Sequence, residues 1–146
     1  MQNHDIRWRQ RFQNFSRAFE LLRDVFAERE VDAFSLLEKD GIIQRFEYTF
    51  ELGWKVLKDY LEYSGIMPDE ATPRKVIREC ATHGIFASAG IDPEIYLNMM
   101  LEKNALSHTY DYERFLQALV RIKEQYLNQL ELQHKFLASK ELEIDG

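Results

Sequence analysis

One cysteine, Cys80, stands in the sequence, so no disulfide can form within the chain. Its neighbours Val76, Ile77 and Ala81 mark it as a small buried hydrophobe rather than a reactive thiol. No apolar run approaches the about twenty residues that a membrane span requires. No secretory signal pattern opens the chain, and with so little cysteine the cytoplasm is the expected compartment. Walker sequences, glycine-rich dinucleotide loops and paired-cysteine metal sites are all missing. His4, His83, His108 and His134 are scattered, with no two at i, i+4, so no metal site made within one chain is expected. Repeats, linkers and low-complexity segments are also lacking, which leaves residues 1–146 as one expected domain. Nineteen basic residues face 25 acidic ones, for a net charge of -6. Such a surface favours solubility and gives no help toward a nucleic-acid backbone.

Apolar residues make up 45% of the chain, enough to exclude disorder of the whole. Their spacing is helical. Trp8, Phe12, Phe15, Phe19, Leu22 and Phe26 recur at steps of four and three, predicting a first helix from about Asp5 to Glu28. Ile43, Phe46, Phe50, Trp54, Leu57 and Leu61 predict a second, from about Phe34 to Ser64 with Gly65 closing it. Gly41 is a candidate break that would leave Ser35 to Asp40 as a separate turn. Gly53 lies on the apolar side, where glycine costs about 1 kcal/mol of helix propensity unless another helix must come close. Residues 65–71 read as a loop. Thr72 and Pro73 open a third, shorter helix that ends near His83 and Gly84. Asp92 caps a fourth, running to Leu106 or His108 with Ile95, Met99 and Leu106 inward. With Asp111 as cap, Phe115, Leu119, Ile122, Tyr126, Leu130 and Leu137 form the stripe of a fifth, from Glu113 to Lys140. Residues 141–146 are expected to fray. The fold class is therefore all-α: an antiparallel up-and-down bundle of four main helices plus a shorter one. The aromatic stripes read as core, or in part as the interface of a symmetric dimer.

Two polar groups stand out. Glu47, Glu51 and Lys55 follow one another at one-turn intervals beside Trp54, as an intrahelical ion ladder or as the wall of a groove. The run Glu102-Lys103-Asn104-Ala105-Leu106-Ser107-His108-Thr109-Tyr110 falls at the end of the fourth helix. Asn104 and His108 are one turn apart, and Lys103 is long enough to reach their pocket. Histidine exchanges protons near neutral pH, lysine offsets phosphoryl charge, and asparagine orients an oxygen or an imidazole. Such a set suits metal-free chemistry on phosphate esters, RNA included, where the 2'-hydroxyl is the nucleophile. It equally suits a helix-terminal hydrogen-bond cluster. Tyr110 offers a reachable hydroxyl for modification by another enzyme.

The run from Gly41 through Gln44-Arg45-Phe46-Glu47 and Glu51-Leu52-Gly53-Trp54-Lys55 resembles the nucleotidyltransferase substrate-binding protein family. So do Thr72-Pro73-Arg74, Val76-Ile77-Arg78-Glu79, and Asn104 through Tyr110, all in the right order. The resemblance implies a HEPN-superfamily helical domain that pairs with a separate minimal nucleotidyltransferase. The partner subunit would carry the catalytic carboxylates and hold ATP and Mg; no cofactor is implied for this chain. The helical subunit would bind the acceptor substrate. On another view of such pairs it is a metal-independent ribonuclease toxin, active as a homodimer and silenced when its antitoxin transferase adds AMP to a tyrosine. The toxin motif is an arginine, four intervening residues, a histidine, one further residue and a tyrosine. Carried over, these positions are Lys103, His108 and Tyr110, and Asn104 fits the usual residue after the arginine. His108, Lys103 and Asn104 would then be catalytic, Tyr110 the AMP acceptor, and Glu47, Glu51, Trp54 and Lys55 would line a groove. Lys103 departs from the pattern: it keeps the charge and loses the planar two-pronged donor set of arginine. That departure weighs against nuclease activity and leaves a non-catalytic adaptor bundle as a further reading.

Overall fold

A computed structural model describes residues 2–108 and 110–145. Its helices are α1 (Gln2–Glu28), α2 (Leu36–Tyr63), α3 (Pro73–Thr82), α4 (Ile85–Ala89), α5 (Pro93–His108), α6 (Tyr112–Arg121) and α7 (Leu127–Asp145). A 3₁₀ turn, Val31–Ala33, links α1 to α2, and a π-helical turn, Ile122–Tyr126, joins α6 to α7.

Directions follow from which residues meet. Trp8 packs edge-on against Tyr60, Arg11 pairs with Asp59, and Arg29 with Glu38, so α1 and α2 are antiparallel. Glu47 meets Ser107 and Glu51 meets Lys103, so α2 and α5 are antiparallel. Arg9 reaches Asp145, Ser16 reaches His134 and Glu30 reaches Lys123, which sets α1 against the last helices in the same sense. The up-and-down bundle is thereby established. Every residue of the first two stripes is buried, so the aromatics form the core of the single chain.

The start of α2 lies at Leu36, and the helix passes through Gly41 without a break. A capping box explains this: Ser35 Oγ accepts from the Glu38 amide at 3.1 Å, and Glu38 accepts from the Ser35 amide at 2.8 Å. Arg29 and Ser35 together hold the Glu38 carboxyl down at about 2. The chain end also differs from expectation. Instead of fraying from Glu141, α7 continues to Asp145, where Arg9 Nη2 bonds both carboxylate oxygens at 2.7 and 2.9 Å; Gly146 lies outside the described residues. The one-turn helix α4 was not anticipated, because five residues are too few to show a period. It is bracketed by Gly84 at φ +80° and Gly90 at φ +76°, conformations that favour glycine. In α5, Met99 and Leu106 are buried as expected, Tyr96 is fully buried as well, and Ile95 is only partly buried.

At the centre, a Cβ on Gly53 would stand 3.2 Å from Phe15 Cε1, 3.2 Å from the Tyr96 hydroxyl and 3.5 Å from Gln133 Nε2. Three helices converge on that point. Gln133 Nε2 donates to the Gly53 carbonyl at 2.9 Å, and the Tyr96 hydroxyl donates to Gln133 Oε1. Gln133 occupies the slot in the last stripe between Leu130 and Leu137 and is fully buried. Burial pushes the Tyr96 hydroxyl well above its ordinary pKa, so it stays a donor. Replacing Gln133 by leucine should cost about 1–3 kcal/mol, because the Tyr96 hydroxyl loses its acceptor. The double variant Gln133→Leu/Tyr96→Phe should recover much of that. Urea denaturation of the wild type, the two single variants and the double variant checks it: additive losses would mean the two side chains are not coupled.

Candidate functional site

The polar groove lies between α2 and α5. Gln44, Glu47, Tyr48 and Glu51 line it from α2, and Lys103 and Ser107 from α5, around a cavity of about 350 Å³. The α2 residues sit at one-turn intervals on one face, and Lys103 and Ser107 are one turn apart on the other wall. Ser107 Oγ donates to Glu47 Oε2 at 2.6 Å. Lys103 Nζ lies 2.7 Å from Glu51 Oε1, and Trp54 Nε1–H donates to Glu51 Oε2 at 3.0 Å. Partial burial opposes ionisation of Glu51, but the hydrogen bonds from Lys103 and Trp54 outweigh it and hold the carboxyl below its ordinary pKa.

The structure therefore brings together part of the predicted set. Glu47, Glu51 and Lys103 share the groove, with Trp54 behind it as a donor to Glu51. Lys55 does not line it, and the ladder from Glu51 to Lys55 is replaced by a bond across the helix pair; Lys55 acts on Glu51 only through its charge. Asn104 and His108 are exposed on α5 outside the groove lining. Tyr110 lies beyond the end of α5, 72% exposed, its ring edge-on to Phe115 at 5.0 Å. Thr109 lies outside the described residues. No hydrogen bond or ion pair among the described residues joins Lys103, Asn104, His108 and Tyr110 to one another.

Sequence reasoning missed Gln44, Tyr48 and Ser107, although the one-turn spacing from Gln44 through Tyr48 to Glu51 is legible. It also missed the pair behind the groove. Glu102, next to Lys103, is buried and takes a forked hold from Arg121, with Nη2 to Oε2 at 3.0 Å. The Tyr126 hydroxyl lies 3.4 Å from Glu102 Oε1, and burial together with that carboxylate pushes it up to about 12. Arg121 immediately precedes the π turn and Tyr126 is its last residue, and both reach the one carboxylate. No local pattern announces this contact. Consecutive residues thus tie α5 to two neighbours, Glu102 to the last helices and Lys103 to α2.

The molecule is thus an all-α bundle with a polar groove between two antiparallel helices, and no group of three or more His, Cys, Asp or Glu side chains that could hold a metal ion occurs among the described residues. The chain belongs to the family described as nucleotidyltransferase substrate binding protein like, whose model matches residues 10–139. The match takes in most of α1 and α7, beyond the stretch from Gly41 to Tyr110. A crystal structure of a protein from Thermus thermophilus is 31% identical, superposes with a TM-score of 0.66, and covers 82% of this chain and 94% of its own. Comparison with curated proteins finds no match. No helix among the described residues is long and apolar enough to cross a membrane.

Replacing Lys103 by methionine should destabilise the fold by about 1 kcal/mol at pH 7, since solvent screening keeps a partly exposed pair near the low end of ion-pair values. Glu51 has a folded-state pKa below its unfolded one. Its contribution is therefore complete at neutral pH and is lost as pH falls through the folded value. The gap between wild type and Lys103→Met should narrow below about pH 4. Denaturation midpoints from neutral pH down to about pH 3 check this; a constant gap would mean that Glu51 is not the partner that matters.

Proposed function

We propose that this chain is the helical substrate-binding or regulatory subunit of a two-component nucleotidyltransferase system, acting on or with a separate catalytic subunit that holds ATP and Mg. The observation that carries this reading is the state of Lys103. Its ammonium is committed to Glu51 in a groove that holds two carboxylates and one cation. A nuclease needs that charge free for a phosphoryl oxygen. A groove with acidic excess, a serine and a glutamine suits an acceptor with hydroxyl or amine donors better than an RNA backbone. In this reading the two subunits meet in the cytoplasm, and His108 and Asn104 are exposed residues outside the groove that do not catalyse.

A second reading is favoured by Tyr110. Its phenol is exposed and lies outside every helix, open to another enzyme's active site. As an acceptor, the phenolate oxygen would attack the α-phosphorus of ATP on the partner; pyrophosphate would leave and the phenolic proton would pass to a base of the transferase. In this reading the chain is a HEPN-type ribonuclease toxin, a homodimer neutralised by AMP on Tyr110.

One incubation separates the two. The chain is mixed with its cognate transferase, ATP and Mg, and complex formation and intact mass are measured. The first reading predicts a complex at micromolar concentration with no change of mass. An adduct of one or more AMP units on Tyr110, absent from Tyr110→Phe, would move the weight to the second. No complex and no adduct would overturn both.

A further inference from the structure

A second groove, of about 270 Å³, lies between α3 and α5. Ile77 and Ala81 of α3 and Pro93 and Leu97 of α5 form an apolar floor, and Arg74 and Arg78 stand over it one turn apart. Both arginines are exposed, and neither enters an ion pair among the described residues. Two nearby carboxylates are engaged elsewhere. Asp69 is 3.8 Å from Lys75, and Glu79 is 3.0 Å from His83. Glu94 lines the groove as its one carboxylate, in the first turn of α5, where a negative charge complements its own helix and the two arginines outnumber it. Arg74 is placed against helix chemistry. It occupies the first turn of α3, which holds no acidic residue, where the helix dipole disfavours a cation. Neither the fold nor the polar groove uses these two charges, although the whole chain carries net charge -6.

We infer that this groove docks an acidic amphipathic helix of the catalytic transferase subunit. The inference rests on the reading that such a subunit is the partner. Carboxylates one turn apart on that helix would meet Arg74 and Arg78, and its apolar residues would fill the floor, the helix-in-groove mode of recognition. Forked guanidinium–carboxylate bonds would fix its register. A nucleic acid fits less well, because the floor is aliphatic and offers no aromatic face for a base to stack on. Leu97, Leu101, Asn104 and His108 follow at steps of four, three and four, so they share one face of α5. Leu101 is 46% exposed on that face. A helix seated over Arg74 and Arg78 would continue along this stripe and bring the partner to His108, close to Tyr110.

The test is calorimetric titration of the full-length chain with the cognate transferase, for wild type and Arg74→Glu/Arg78→Glu. Both substitutions are on the surface, and circular dichroism melting verifies that the variant folds. The expected result is a loss of affinity of at least tenfold, a wild-type affinity that falls with added salt, and no loss in Arg17→Glu, on α1 outside the groove. Lysine replacements of the paired acidic residues in the transferase should restore binding to the reversed variant. Equal affinity of wild type and double variant would overturn the inference and leave the two-subunit reading standing. Failure of the wild type to bind would overturn both. Loss of single-stranded RNA binding in the double variant, with transferase binding intact, would also overturn it.

Discussion

The close approach of three helices at Gly53 is the constraint on which the rest depends. With no Cβ there, α1 brings Phe15, α5 brings Tyr96 and α7 brings Gln133 to within van der Waals reach of the α2 backbone. The glycine sacrifices helix propensity, and the amide of Gln133 converts the freed space into two directed hydrogen bonds. Apolar packing alone would tolerate several registers of four amphipathic helices. A buried glutamine with one acceptor and one donor in place selects a single one, since any slip leaves polar atoms unsatisfied in the core.

That register determines the groove. Once Tyr96 is pinned, the next two turns of α5 place Met99 and Met100 in the core. Glu102 then faces Arg121, and Lys103 faces Glu51. The π turn widens the last helix where Arg121 and Tyr126 must both reach Glu102, a use of the extra residue that re-aims side chains without breaking the helix. The walls of the groove are thus set by the packing of α2 against α5, and Lys103 is paired with one of its two carboxylates before anything binds. A lysine at this position serves such a wall well. It makes a point contact with one carboxylate oxygen and leaves the other to the Trp54 indole.

Much of this was legible in the sequence, and the limits are physical. The stripes beginning at Trp8 and Ile43 could be assigned to the core because long helices repeat their period many times. Gly53 could be recognised as a point of approach because glycine on an apolar face needs a reason. Gln133 could not, since a polar residue within a stripe gives no hint of its distant partners. The pairing of Glu102 with Arg121 joins two helices and depends on a π turn that the three-and-four spacing of Ile122, Tyr126 and Leu130 conceals. The Gly41 break was wrong because the capping box at Ser35 outweighs one interior glycine. Family resemblance placed Lys103, His108 and Tyr110 in one motif; only the folded chain reveals that Lys103 pairs with Glu51 across the helices.

The most direct measurement is RNA hydrolysis by the purified chain at micromolar concentration with a metal chelator present. If Lys103 is held by Glu51 as a structural cation and the groove is a binding surface, cleavage stays at the level of buffer alone. Cleavage above that level, abolished by His108→Ala, would contradict the account and make the chain a nuclease despite its lysine.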